Sequence, residues 1–518
     1  MRRILLWSAA MLLAGCAGSI LLAQTAGTGT PAALTIYNQD FALVRTPITL
    51  DLKAGTTEVS ATNVTARVEP DSVVLRDPLG KREIRILEQD YDGALRVQAQ
   101  MLAKFEGQTI DFVLPGTNGE QKIVAGKIVR AGSVPQFDLI DRYGQNYFYQ
   151  MNQPNMQEEP LIEIEGKLRY GLPGVPLFPA SANGLTLKPT LRWVIFSDRA
   201  VNMPAELDYI TRGLRWDATY NVVAPAEDSA ASEKLEMIGW VNVTNESGTD
   251  FKDASVKLMA GDISKLVNQN GGFSFGGPVA GTVLMDSVGA QAQVTQKNFD
   301  EYHLYDLHRT TSLLDHQSKQ IEFLNVTGIP AQRVYVYDGF KIDTQNGMRY
   351  LQFNQENFGG SVSTNKKVWV MQEFRNSQTN HLGMPLPKGR MRFYRRDTDG
   401  SLQFIGENTI DHTPKDEMVS VFIGDAFDIT GDRVRTDFKT TQRSDNHTIV
   451  ESYKVTLHNA KPNSAKVRVV EHMLRTANWT LSNTSDDFTK KDSQTAEFNV
   501  EVPASGEKVV SYTVTYTW

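Results

Sequence analysis

The sequence predicts a mainly β, multi-domain protein: antiparallel β-sandwiches of immunoglobulin-like type plus a small Sm- or SH3-like barrel. Two observations predict it. Apolar and polar residues alternate with a period of two along much of the chain, and turn residues separate the alternating runs at short intervals. Successive side chains of a strand point to opposite faces, so this alternation describes ribbons with one buried and one wet face. Strands at such spacing suggest sandwiches with Greek-key connections.

The chain opens with Met1-Arg2-Arg3, followed by an apolar run from Ile4 to Leu13. A positive segment before a short apolar run is the form of a secretory signal. The run is shorter than the roughly 20 residues a membrane helix needs. Leu13-Ala14-Gly15-Cys16 then resembles the lipobox of bacterial lipoproteins, and Cys16 is the sole cysteine of the 518 residues. Residues 1–30 are accordingly read as a leader, with Cys16 as the lipidation site. Because apolar character continues through Ile20–Ala23, two alternatives stay open: cleavage near Ala23 or Ala26, and an uncleaved anchor from Ile4 to Ala23.

Beyond Cys16 there is no thiol, so the fold relies on its core alone, which a chain of this length permits. The formal net charge of −7 aids solubility and gives no footprint for nucleic acid. No second segment is apolar enough to span a membrane.

Residues 33–92 read as an N-terminal β region. Residues 93–155 read as the small barrel: a short helix over Gly93–Lys104, strands at 106–114 and 122–129, then strands from Phe137 to Ile140 and Asn146 to Tyr149. Such barrels bind RNA in some proteins, but the acidic balance favours a spacer here. Residues 156–266 read as a β-sandwich region, with Leu235–Val243 and Ala254–Leu258 flanking the turn Asn245-Glu246-Ser247-Gly248. Residues 267–300 are Gly-, Asn- and Gln-rich and read as a flexible loop. Residues 301–518 read as a C-terminal β-sandwich region. Its strand pairs are Tyr335–Ile342 with Met348–Phe353 across Asn346-Gly347, Met391–Tyr394 with Leu402–Ile405 across Asp399-Gly400, and Glu451–Leu457 with Ala465–His472. The chain ends in an expected hairpin. Ala496–Val500 pairs there with a strand whose Val510, Tyr512, Val514, Tyr516 and Trp518 share one face.

No catalytic, cofactor or metal residues are predicted. His303 and His308 are five apart, which fits neither the helical spacing of four nor the strand spacing of two. His316 follows Asp315 and His412 follows Asp411, and neighbours on a strand point to opposite faces. Gly359-Gly360-Ser361 lacks the second glycine of a nucleophile elbow. Gly424-Asp425-Ala426-Phe427-Asp428 with Gly431-Asp432 could gather oxygens for calcium but lacks the spaced ligands of an EF-hand loop. Glu158-Glu159 and Asp486-Asp487 read as solvated loop charge. Trp193, Trp216, Trp240, Trp369 and Trp479 lie in strand-like runs and read as packing residues. The one acid–base arrangement worth testing is Asp411 or His412 with Glu471 or His472 across a cleft.

Several segments resemble the domain of unknown function found in mucoidy inhibitor A-like bacterial proteins. They are Leu34–Val44, Tyr209–Trp216, Leu258–Asp262, Gly400–Glu407, Ile410–Pro414, Gly424–Asp428 and Val469–His472. The resemblance runs from about residue 34 to the end. It implies a β-rich C-terminal region and an envelope setting, and it brings no activity or catalytic residues. The chain departs from name-giving members in showing no heptad coiled coil in its first half. The expectation is an exported, periplasmic or outer-membrane-anchored protein that acts as a non-enzymatic β scaffold or binding protein. Its partners would be an envelope protein or polysaccharide, with membrane contact only through the N-terminus. The alternative is an enzyme or binding module acting on surface polysaccharide.

Overall fold

The computed structural model describes residues 24–25, 27–28, 31–62, 64–93, 97–115, 121–133, 158–179, 188–226, 233–261, 295–299, 302–339, 356, 365–443 and 446–518. The protein is mainly β, built of open sheets. Among the described residues there is one α-helix, Gln98–Lys104, inside the segment where alternation lapses. Leu102 and Phe105 bury its inner side against Ile110, Phe112, Ile128 and Ile162. Those residues belong to an open five-stranded sheet that runs from Thr109–Pro115 to Val175–Leu177 in sequence. The expected strands Phe137–Ile140 and Asn146–Tyr149 lie outside the described residues.

A four-stranded sheet joins Gly55–Thr62, Thr190–Ser197 and Arg85–Asp92 to the short Gln24–Thr25. An eight-stranded sheet is centred on Phe251–Ala260, Ala33–Tyr37, Phe41–Leu52 and Val201–Arg212. The largest sheet, of thirteen strands, runs from Leu402–Ile410 through Gly389–Arg396, Leu214–Ala224, Glu233–Asn245 and Gln317–Asp338. It continues through Lys367–Arg375, Met418–Arg443, Asn446–Asn459 and Gly506–Thr517. Most pairs are antiparallel, but Leu214–Ala224 runs parallel to Gly389–Arg396, and Gln317–Asp338 parallel to Ala465–His472.

Two long strands carry this sheet from one apolar core to another. The first part of Gln317–Asp338 pairs with Glu233–Asn245, and its last residues pair with Lys367–Arg375 and Ala465–His472. Met418–Arg443 pairs first with Lys367–Arg375 and then with Asn446–Asn459. The first core gathers residues from Leu34 to Ile423, with Trp216 edge-on to Tyr305 of the eight-stranded sheet. The second gathers residues from Tyr335 to Tyr516.

Alternation is realised as expected in Gly506–Thr517, where Val510, Tyr512, Val514 and Tyr516 are buried. Trp518 departs from that face: it is 45% exposed and stacks on His447. The Asp399-Gly400 turn does join a hairpin of Gly389–Arg396 with Leu402–Ile410. Of Tyr335–Ile342 with Met348–Phe353, the second strand lies outside the described residues. Three other expected hairpins are corrected. Glu233–Asn245 does not pair with Phe251–Ala260, which pairs instead with Tyr302–Leu313 and Ala33–Tyr37. Asn446–Asn459 pairs with Met418–Arg443 and Gly506–Thr517, not with Ala465–His472. Thr495–Val502 pairs with Ala465–His472 and Phe488–Lys490, not with Gly506–Thr517.

In the first case the chain passes from the thirteen-stranded to the eight-stranded sheet, and in the other two it moves to a strand of the same sheet that is not its neighbour. Two buried asparagines hold such turns. Asn245 donates to the carbonyls of Thr249 and Leu313 while its own oxygen accepts from Ser247 N–H. Asn459 donates to the carbonyls of Asn463, Val502 and Pro503 while its oxygen accepts from Lys461 N–H. An asparagine at a strand end thus supplies the hydrogen bonds a ladder would otherwise give.

Candidate functional site

The second core holds charge where its strands should present apolar groups. Counting by twos along Ala465–His472, Val467 and Val469 face inward, and so does Glu471, which is fully buried. The same count along Met418–Arg443 takes Ile429 and Gly431 inward, then Arg433. Arg433 Nε donates to Glu471 Oε2 at 2.8 Å, and Tyr512 O–H donates to the same oxygen at 2.5 Å. The guanidinium lies 3.9 Å from the ring centroid of Tyr453. Gly431 is required beside it, because a Cβ there would fall 2.2 Å from the ring of Tyr337. Burial works against the Arg433 charge, but the Glu471 carboxylate and the surrounding tyrosines hold its pKa well above the ordinary value. Burial, with Glu471 next to it, pushes the Tyr512 hydroxyl up.

A second buried carboxylate, Glu451, receives Arg475 through two nitrogens at 3.0 and 2.9 Å and Arg435 at 3.2 Å. Both arginines also donate to the carbonyl of Glu356. Such bidentate, charge-assisted contacts neutralise the acid and fix its orientation. His472 Nε2 lies 2.9 Å from Asp338 Oδ2. Chemically, this arrangement ties Ala465–His472 to Met418–Arg443 and Gly506–Thr517 across the core.

The acid–base candidates named from sequence fall into two separate places. Glu471 and His472 belong to this network. Asp411 and His412 follow Leu402–Ile410, where Asp411 is exposed and 3.6 Å from Lys388 Nζ. His412 Nδ1 accepts from Lys388 N–H at 3.1 Å. Nε2 of the same ring lies 3.4 Å from Asn38 Nδ2. His303 sits near it, with Nδ1 2.7 Å from Gln296 Nε2. Burial first, and then repulsion between the two rings when both are protonated, lower its pKa. Spacing could not have revealed this meeting, since the two histidines come from remote segments that only the folded sheets bring together. His308, at a left-handed irregularity inside the strand Tyr302–Leu313, and His316, in the left-handed turn after it, instead lie against Asp306 and Asp315.

The calcium candidate is part of a strand, with Asp425 2.6 Å from Lys367 Nζ. Among the described residues no group of three or more His, Cys, Asp or Glu is placed to hold a metal. Trp193, Trp216 and Trp479 are buried packing residues, while Trp240 and Trp369 are half-buried, Trp369 edge-on to Phe422. Cys16 lies outside the described residues.

The two perturbed histidines act oppositely on stability. His472 has its pKa raised, first by the hydrogen bond to Asp338, against the cost of burial. Its contribution is therefore complete below the unfolded value near 6.5 and is lost as pH rises through the raised folded value. His303, with its pKa lowered, contributes above that range, and the contribution fades as pH falls below about 6.5. His472→Gln should remove the part of the second core's stability that declines between mildly acidic and mildly alkaline pH. Hydrogen-exchange protection of Ala465–His472 and Gly506–Thr517, measured at several pH values, checks this. An unchanged pH dependence would rule out the His472–Asp338 contribution.

No family model matches the chain, and no curated protein or solved structure is significantly similar to it.

Proposed function

We propose that the chain is an exported, envelope-resident β scaffold or binding protein without a catalytic centre. In this reading it comprises immunoglobulin-like sandwiches around the two large cores and a small Sm/SH3-like barrel over residues 93–155. It would be related to the domain of unknown function of mucoidy inhibitor A-like proteins. Cys16 anchors it through lipid, and its partners are envelope proteins or polysaccharide. The observation that supports the reading is the use made of Glu471. The acid best placed to be a catalytic carboxyl is fully buried and committed to Arg433 and Tyr512. The alternative, an enzyme acting on surface polysaccharide, needs Asp411 or His412 to share a cleft with Glu471 or His472. His412 instead meets Asn38 and Lys388.

Crosslinking in cells followed by capture of the chain tests the scaffold reading. Recovery of a specific envelope protein or polymer is expected, and a consistently bare chain would count against it. For the anchor, intact mass of the protein taken from membranes should show an N-terminal cysteine carrying acyl chains. Cys16→Ser should abolish both the added mass and membrane retention, since firm anchoring needs more than one chain. A mature N-terminus after Ala23 or Ala26, with no lipid, would overturn the lipidation site.

A further inference from the structure

We infer that the outer face of the strands Glu233–Asn245, Leu214–Ala224, Gly389–Arg396 and Leu402–Ile410 binds a neutral polysaccharide, with Phe404, Tyr394 and Trp240 stacking on its sugar rings. This rests on the envelope-binding reading above and deepens it, because it names the ligand class and the surface.

The register builds the face in rows that run across the strands. Phe404 lies beside Tyr394, Tyr394 beside Val223, and Val223 beside Glu236. In the next row Glu407, Arg392 and Asn221 are neighbours, and in the third Arg390, Thr219 and Trp240. The alternate residues Tyr220, Val222, Met391 and Phe393 are buried in the first core, so the rows point away from it. Phe404 and Trp240 stand about 14 Å apart across the strands and about 13 Å apart along them. Phe404 is 57% exposed, and Tyr394 meets it edge-on at 5.8 Å, which holds the ring in place. Tyr394 and Trp240 are half-buried. Among the described residues the Tyr394 hydroxyl, the Asn221 amide, the Trp240 N–H and the Arg390 guanidinium have no hydrogen-bond partner, and none of them is closed off from solvent.

The composition of the face selects its occupant. Three of the four strands are hydrogen-bonded on both sides, so no added strand can pair here and only side chains recognise a ligand. A protein interface gathers its apolar residues in a centre poor in charge. Here the rings are set apart by arginines and an amide that stay wet. That pattern fits a molecule offering apolar C–H faces and hydroxyls in alternation, which is a pyranose chain. Its C–H faces take the rings, and its hydroxyls take the open hydrogen-bonding groups of Tyr394, Asn221, Trp240 and Arg390. Charge argues for a neutral chain. Arg392 donates to Glu407 at 3.1 Å and Arg396 to Glu236 at 2.8 Å, which cancels both acids of the rows. One cation, Arg390, is left over on a chain of net charge −7, too little to hold a polyanion.

Affinity electrophoresis of the full chain tests this, through native gels containing protein-free envelope polysaccharide separated into neutral and acidic fractions. Retardation by the neutral fraction is expected. Phe404→Ala and Asn221→Ala should each weaken it about tenfold, the factor equal to about 1.4 kcal/mol, with unchanged thermal melting. Phe427→Ala, which removes a ring 95% exposed elsewhere, should bind as the wild type does. The inference is overturned if the neutral fraction leaves the wild type unretarded, or if it retards Phe404→Ala and Asn221→Ala as strongly as Phe427→Ala. The scaffold reading fails separately, when crosslinking in cells recovers no envelope partner.

Discussion

Glu471→Ala is expected to lower the stability of the second core by about 3–5 kcal/mol, the cost typical of breaking a buried ion pair from one side. The substitution leaves Arg433 charged at 6% exposure with its main counter-charge gone, and Tyr512 without its acceptor. Replacing both partners is a different experiment. Arg433→Met with Glu471→Leu puts apolar side chains where Val469 and Ile429 already prefer them, and should recover most of the loss. A buried pair is often no better than a well-packed apolar substitute, although removing one partner is severe. Because the molecule has more than one core, a single global unfolding energy is not a proper readout. Hydrogen exchange of Gly506–Thr517 and Ala465–His472 reports on this core directly. Loss of protection in Glu471→Ala, restored in the double variant, is the expected pattern. A single variant with wild-type protection would show that the pair contributes nothing.

That network also marks how far the sequence can be read. The inward register of Val467 and Val469 is plain from alternation, and continuing the count lands an acid in the core at Glu471. The corresponding count from Ile429 lands a base at Arg433. Each is legible alone as a charged residue at an apolar position. Their meeting is not, because it depends on which strands lie on either side of the core. The three corrected hairpins have the same cause. Alternation specifies which face of a strand is buried but is indifferent to its neighbours. A turn rich in Asn, Ser and Gly serves a hairpin and an interlayer crossing alike. Where the Asp399-Gly400 turn demanded a positive φ at Gly400, found at 85°, the hairpin followed. The pairing of His303 with Gln296 and of His412 with Asn38 had no local signal at all.

Asn459→Asp should be nearly as damaging as Glu471→Ala, with a loss of about 3 kcal/mol or more. The side chains have the same shape, so packing is preserved and the change isolates the amide nitrogen. That nitrogen faces the carbonyls of Asn463, Val502 and Pro503 at 2.9, 3.3 and 3.0 Å. A carboxylate would set an acceptor against acceptors at a site 2% exposed, while still accepting from Lys461 N–H. The group would be driven to protonate, so the loss should shrink as pH falls. Asn478→Asp provides the control, since its amide donates at the surface to Thr517 and water can replace it. Hydrogen-exchange protection of Asn446–Asn459 and Ala465–His472 at acidic and neutral pH separates the two. If Asn459→Asp were as mild as the control, the crossing from Asn446–Asn459 to Ala465–His472 would be held by apolar packing alone.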